Sequence, residues 1–224
     1  IAGVVNLQLK RDAFAPFVTA DVGRYVVGDY PDDGNTVNVN AGWGTAIGSG
    51  RLGVFAEYRN RQPTNRAWPE AADQIVPGDA DVVDDKGRIL EKNNDVAQPN
   101  HRLGDGLADD KLLYLDFQLP LDDAGTKRFY AFGGFSDRVG TGNGFYRQGL
   151  SERNWPQIYP QGFLPEFRPD VIDWSLAAGL AGEAGAWRYD AALAAGFNRF
   201  DYNLRNTLNT SLGPCLATAC APGL

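Results

Sequence analysis

Residues 170–200 constrain this chain more than any other stretch. They read DVIDWSLAAGL, then AGEAGA, then WRYDAALAAGFNRF. In the second arm Trp187, Tyr189, Ala191, Leu193, Ala195 and Phe197 alternate with Arg188, Asp190, Ala192, Ala194, Gly196 and Asn198. In the first arm Ile172, Trp174, Leu176, Ala178 and Leu180 alternate with Asp173, Ser175, Ala177, Gly179 and Ala181. A period of two means strand, because successive side chains point to opposite faces. Two such arms around a Gly/Ala turn make a hairpin. One face is apolar with an aromatic near each end, and the other is small or polar. Large residues packing a soluble core would rarely be opposed by so many Gly and Ala. A lipid-facing wall around a polar interior has this pattern.

No apolar run approaches the roughly 20 residues that a membrane helix needs. A mean hydropathy of -0.33 is compatible with a membrane barrel, whose polar lumen face and loops dilute the average. The net charge of -7 argues against a nucleic-acid partner, which calls for a basic patch. The chain has no Met and opens within an apolar strand, so an internal piece of a longer protein is expected.

Other segments repeat the strand pattern. Val18, Ala20 and Val22 share one face of a strand over about 17–26. Val37, Val39, Ala41, Trp43, Thr45 and Ile47 alternate with Asn38, Asn40, Gly42, Gly44 and Ala46. Leu52, Val54, Ala56 and Tyr58 follow a Gly-Ser-Gly turn, and Leu113, Leu115, Phe117 and Leu119 come after a long gap. Phe129, Ala131, Gly133 and Phe135 alternate with Tyr130, Phe132, Gly134 and Ser136. Long aperiodic stretches fall at about 60–109, 139–169 and 201–224. Short turns fall at 48–50, 121–126 and 182–186. Within the first long stretch, VVDDKGRIL suits a local hairpin. Long and short connections alternate strictly. In an up-and-down arrangement each kind gathers at its own end, as in an outer-membrane barrel with short periplasmic turns and long extracellular loops. The expected fold is therefore all-β: an antiparallel up-and-down transmembrane β-barrel, partial here, with about seven strands of a larger barrel.

Several segments look familiar in order. IAGVVNLQLKRD at residues 1–12 resembles the strand that ends the plug domain of TonB-dependent outer-membrane receptors. NRQPTNRA resembles the segment leaving the third barrel strand. FYAFGGFSDR, GFYR, RNWPQIYPQGFLPEF and DWSLAAGLAGE resemble the fifth strand, third extracellular loop and sixth strand. The resemblance implies a plug end at 1–12, and the first part of a 22-stranded barrel at 13–224. It also implies import of a scarce nutrient, such as a siderophore or a saccharide, across the bacterial outer membrane. Its partners would be outer-membrane lipid, the small-molecule nutrient and the TonB complex, reached through the rest of the plug.

The sequence contains no catalytic constellation, so no enzyme, cofactor or metal is expected. The acidic cluster Asp79, Asp81, Asp84 and Asp85 lacks the spaced ligands of a calcium loop and reads as a solvated acidic stretch. Cys215 and Cys220 suit a small disulfide loop in an oxidising compartment, with two free thiols as the other reading. Candidate ligand contacts in the loop at 139–169 are Phe145, Tyr146, Arg147, Trp155, Tyr159, Phe163 and Arg168, since aromatic faces and guanidinium forks suit sugar rings, catecholates or carboxylates. The competing reading, which carries more weight, is that these aromatics pack the loop. Lumen-facing Arg59 and Arg138 are expected to pair with acidic groups of the plug or of neighbouring strands. Trp43, Trp174 and Trp187 are expected to anchor the membrane interface. Two other functions remain: a passive barrel, porin or adhesin; and a secreted glycan-binding β-sandwich, which would bury the faces from Val37 to Ile47 and from Trp187 to Phe197 between two sheets.

Overall fold

The structure is a computed structural model and describes residues 13–70, 82–83, 85–86, 89–91 and 96–213. The plug-like strand at 1–12, Asp79, Asp81 and Asp84 of the acidic cluster, and both cysteines lie outside the described residues. Eleven strands follow one another: β1 (Phe14–Tyr25), β2 (Asp33–Ile47), β3 (Gly50–Arg61), β4 (Val82–Val83), β5 (Ile89–Glu91), β6 (Leu107–Pro120), β7 (Lys127–Asn143), β8 (Arg147–Gln148), β9 (Gly162–Phe163), β10 (Glu166–Ala184) and β11 (Trp187–Arg205). Seven of them form one sheet in the order β1-β2-β3-β6-β7-β10-β11. Every neighbouring pair is antiparallel. Two ribbons, β4-β5 and β8-β9, stand on the long connections. The hairpin expected in VVDDKGRIL is the first of these. No described helix is long and apolar enough to cross a membrane.

Connections sort by end as their lengths foretell. The turns β2–β3, β6–β7 and β10–β11 lie at one end, and the long connections β3–β6 and β7–β10 lie at the other. Gly48 and Gly185 take φ of 61° in the two tightest turns, a conformation open to glycine at little cost. In the third short turn Asp122 accepts hydrogen bonds from the Thr126 hydroxyl and, at 3.0 Å, from the Lys127 N–H. These bonds, the Thr126 one first, hold its carboxyl below the usual carboxylate range. Near the start of β1 the register slips. Phe14 faces Gly44 and Phe17 faces Gly42, three steps against two. Pro16 sits in that bulge, where a missing N–H does least harm to the ladder.

Each face of the sheet can be followed from strand to strand by its register. One level of the apolar face runs Ala41, Ala56, Leu113, Phe135, Trp174, Phe197. Trp43, Trp174 and Trp187 all lie on this face. No second sheet of the described residues packs against it, and its side chains stand open: Leu193 is 85% exposed, Val22 82% and Leu176 54%. The buried apolar side chains among the described residues are Ala67, Val96, Phe163, Pro165 and Ala181, four of the five outside the seven-stranded sheet. Among the described residues this is a single-layer wall without a hydrophobic core. Sandwich packing, with Val37 to Ile47 buried between sheets, does not occur among these residues. The sheet is also open, with β1 and β11 as its edges.

The other face carries polar, small and stacked aromatic side chains. Phe14 stacks on Phe55 at 5.5 Å, and Phe55 tilts against Tyr114 at 6.5 Å. Gly42 and Gly44 make this possible, since a Cβ at either would lie 2.4 Å from the ring of Phe17 or Phe14. Tyr130 crosses above Gly179 and donates to Asp190 Oδ1 at 2.6 Å, tying β7 to β11 across β10. Arg138 Nε donates to Asp110 Oδ1 at 3.2 Å, and Arg59 stands opposite Asp110 in the register. The expected pairing of these arginines with acidic groups is thus seen for Arg138, on a neighbouring strand.

Three boundaries differ from the sequence reading. The β7–β10 connection covers 144–165 rather than 139–169, and β11 runs on to Arg205 rather than stopping near 200. The β3–β6 connection covers 62–106. The reason is visible on β10 and β11. Beyond Ile172 the period of two persists but the faces exchange character. Val171, Pro169 and Phe167 lie on the polar-face side, opposite Phe200, Tyr202 and Leu204. Asp170, Arg168 and Glu166 lie on the formerly apolar side, opposite Asp201, Asn203 and Arg205. A reading that follows one apolar face ends the strands where that face turns polar.

Candidate functional site

The long connections build the end of the sheet where a ligand would be met. The segment after β3 is strapped down by polar contacts. Thr64 N–H donates to Asp105 O at 3.0 Å, and Arg66 N–H donates to Leu103 O. Asn65 Oδ1 accepts from Ala67 N–H and Leu103 N–H. Arg66 grips Asp33 with both Nη atoms, at 2.7 and 2.8 Å, while its guanidinium lies 5.9 and 5.5 Å from the rings of Tyr25 and Tyr30. Donating these hydrogen bonds to the Asp33 carboxylate raises the Arg66 pKa further. The TNR of NRQPTNRA therefore serves the architecture, fastening this connection to the β1–β2 loop.

The 144–165 connection is organised by Asn154. This side chain is buried, and its Nδ2 donates to Gly149 O and to Tyr159 O, each at 2.8 Å. Tyr146 donates its hydroxyl to Gln161 O at 2.9 Å, and burial pushes its phenol pKa up. Tyr159 packs on Phe163 with ring centroids 4.6 Å apart. Trp155 Nε1 donates to Thr210 O at 3.2 Å, tying the loop to the chain beyond β11. Gly162 closes the β8-β9 ribbon at φ 97°, where a Cβ would lie 2.1 Å from the Arg147 carbonyl oxygen. Tyr146, Trp155, Tyr159 and Phe163 are thus spent on holding the loop together. Phe145 stands 83% exposed.

Truncating Asn154→Ala removes the donor from two carbonyls, at a cost of about 1–3 kcal/mol each if they stay buried. The expected result is loop opening without loss of the sheet. Limited proteolysis should cut within 144–165 about tenfold faster than in the parent, with an unchanged β-type circular dichroism spectrum. Equal cleavage rates would show that Asn154 does not hold the loop.

The two candidate arginines separate. Arg168 belongs to a cleft of about 430 Å³ on the apolar-face side, at the end of the long connections, with Arg102, Arg205, Asp105 and Glu166. Arg205 approaches Glu166 at 3.9 Å there. Arg147 belongs to a second cleft of about 460 Å³, with Arg153, Phe163, Phe167 and Leu204. Since Phe167 and Leu204 are opposed across β10 and β11 on the polar-face side, the two clefts open on opposite sides of the sheet. Sequence reasoning missed Arg153, Asn154 and Phe167. The signal for Phe167 was present, because FRPDVID keeps the strand period through the exchange of faces.

No group of three or more His, Cys, Asp or Glu able to hold a metal occurs among the described residues. His101 Nδ1 lies 3.4 Å from Asn100 Oδ1. Comparison with protein-family models, with curated proteins and with solved structures finds no match.

Proposed function

We propose that the seven-stranded sheet is a sector of an outer-membrane β-barrel, apolar face to lipid and polar face to the lumen. The observation that carries this reading is the length of the apolar stretch. On β10 it runs from Ile172 to Gly182 and on β11 from Trp187 to Phe197, eleven residues each. At roughly 3.3 Å per residue that is about 36 Å along the strand, and a tilt of about 45° reduces it to roughly 25 Å of membrane. That matches the height of the apolar band of such barrels. The exchange of faces beyond Ile172 fits a strand leaving lipid for water. Arg199, Asp201 and Asp170 then stand where the wall meets solvent.

The barrel, on this proposal, is that of a TonB-dependent receptor importing a scarce nutrient by energy-coupled transport. Support comes from the ordered resemblance from Phe129 to Gly182 and from IAGVVNLQLKRD. A passive barrel shares the wall but has no use for a plug-ending strand.

The test uses the protein in its native outer membrane. In a C215S/C220S background, a cysteine at Glu152 should react with a membrane-impermeant maleimide on intact cells, and a cysteine at Asp123 only after permeabilisation. The purified protein in planar bilayers should show no steady open-channel conductance. Labelling of both sites on intact cells would overturn the topology. Correct labelling with stepwise conductance would replace the transporter by a passive pore.

A further inference from the structure

We propose that the cleft of about 460 Å³ formed by β10, β11 and the 144–165 connection binds a small organic anion carried on a flat, aromatic ring. The inference rests on the reading above for its setting, at the lumen side of the surface-exposed end. Its floor is apolar: Phe167 and Leu204, backed by the buried Phe163. Phe167 stacks on Tyr202 at 5.9 Å and 24°, and Tyr202 on Phe200 at 6.0 Å and 15°, so the floor continues as an aromatic ladder. A flat ring gains from offset stacking on such a surface.

Its charge is one-sided. Arg147 and Arg153 line the cleft, and no carboxylate does. Neither guanidinium forms an ion pair among the described residues. In a chain of net charge -7, a cleft lined by two arginines and no carboxylate is locally cationic. The Arg168 cleft shows the ordinary case, with Asp105 and Glu166 among its arginines. Guanidinium forks match carboxylate oxygens in planar, two-bond geometry, and they gain strength where apolar walls thin out the water. Thr207 and Asn209 add polar groups at the rim. A neutral sugar would leave the two cations without a counter-charge, and inorganic phosphate would leave the apolar floor uncovered.

The experiment is saturation-transfer NMR on the purified protein in detergent, with 2-hydroxybenzoate, its neutral counterpart 2-hydroxybenzamide and inorganic phosphate as probes. The anion on a ring should bind about tenfold or more tightly than either of the others. R147Q/R153Q should remove that preference, and R168Q should leave the affinity within about twofold, because Arg168 stands on the other side of the sheet. If the double variant fails to fold, R153Q alone, at an exposed side chain, should weaken the anion about threefold. Equal binding of the amide, equal binding of phosphate, or an R168Q loss matching the double variant would overturn the proposal. Binding in detergent does not depend on membrane orientation. Failure here with correct surface labelling overturns the ligand class alone, and failed labelling with intact binding overturns the membrane reading alone.

Discussion

Leu193→Arg is expected to lower the unfolding free energy of the protein in lipid vesicles by about 2–4 kcal/mol, the cost of a cation at mid-depth on the lipid face of a barrel. Leu193 stands at the middle of the apolar stretch of β11, opposite Ala178. In water the same substitution would be nearly silent, because an exposed surface position usually tolerates change within about 0.5 kcal/mol. The two readings of an exposed leucine therefore differ severalfold in one number. Ala194→Arg supplies the internal control. Ala194 is the next residue along the strand and points to the polar face, opposite Ala177. There an arginine meets water or polar groups, and the expected change is under about 1 kcal/mol. Urea unfolding in vesicles, followed by tryptophan emission, measures both. Equal and small effects at the two positions would mean that neither face meets lipid.

That contrast also explains how much of the molecule was legible beforehand. Strand identity needs only period two, a local property, so the strand locations and the end-sorting of turns came from residue types alone. The asymmetry of the faces was equally local, carried by Trp174, Leu176, Trp187 and Leu193 against Gly179, Ala192 and Gly196. Strand ends were harder, because Phe167, Val171 and Phe200 continue the period with exchanged polarity. The site resisted for another reason. An aromatic in a loop has the same residue type whether it binds a ligand or packs. Asn154 with its two carbonyls, and Tyr146 with Gln161 O, decide that question through contacts that composition does not encode. Arg147 and Arg168 looked equivalent in sequence, and only the register of β10 with β11 puts their clefts on opposite sides. Pairings across long connections were the least readable. Arg51 with Asp116 depends on how β6 aligns with β3 after a connection whose length sets no register, and Arg66 with Asp33 on where that connection turns as it leaves β3.

The Arg51–Asp116 pair yields the second large expected effect. Arg51 starts β3 and is 7% exposed; Asp116 on β6 is 3% exposed. They are diagonal neighbours on the polar face, since Gln118 is directly opposite Arg51 and Gly53 directly opposite Asp116. Gly53 lies beside the pair, where a Cβ would be in ordinary contact with Arg51 Nη1 at 3.5 Å and a little tight against the Phe55 ring at 3.3 Å. Arg51 donates to Asp116 through Nη2, while its Nε and Nη1 have no acceptor among the described residues. A guanidinium so placed depends on one carboxylate. Asp116→Ala leaves it buried without a counter-charge, and the expected loss is about 3–5 kcal/mol. Replacing both, as R51M/D116L, removes the desolvation cost along with the attraction, and the expected net change is neutral or stabilising by about 1–4 kcal/mol. Urea midpoints of the parent, the two single variants and the double variant close the cycle. A large loss in D116A regained in the double variant establishes a buried pair that keeps its charges at a net cost. A D116A loss under about 1 kcal/mol would be the behaviour of a solvated pair, and would mean that water reaches this part of the polar face.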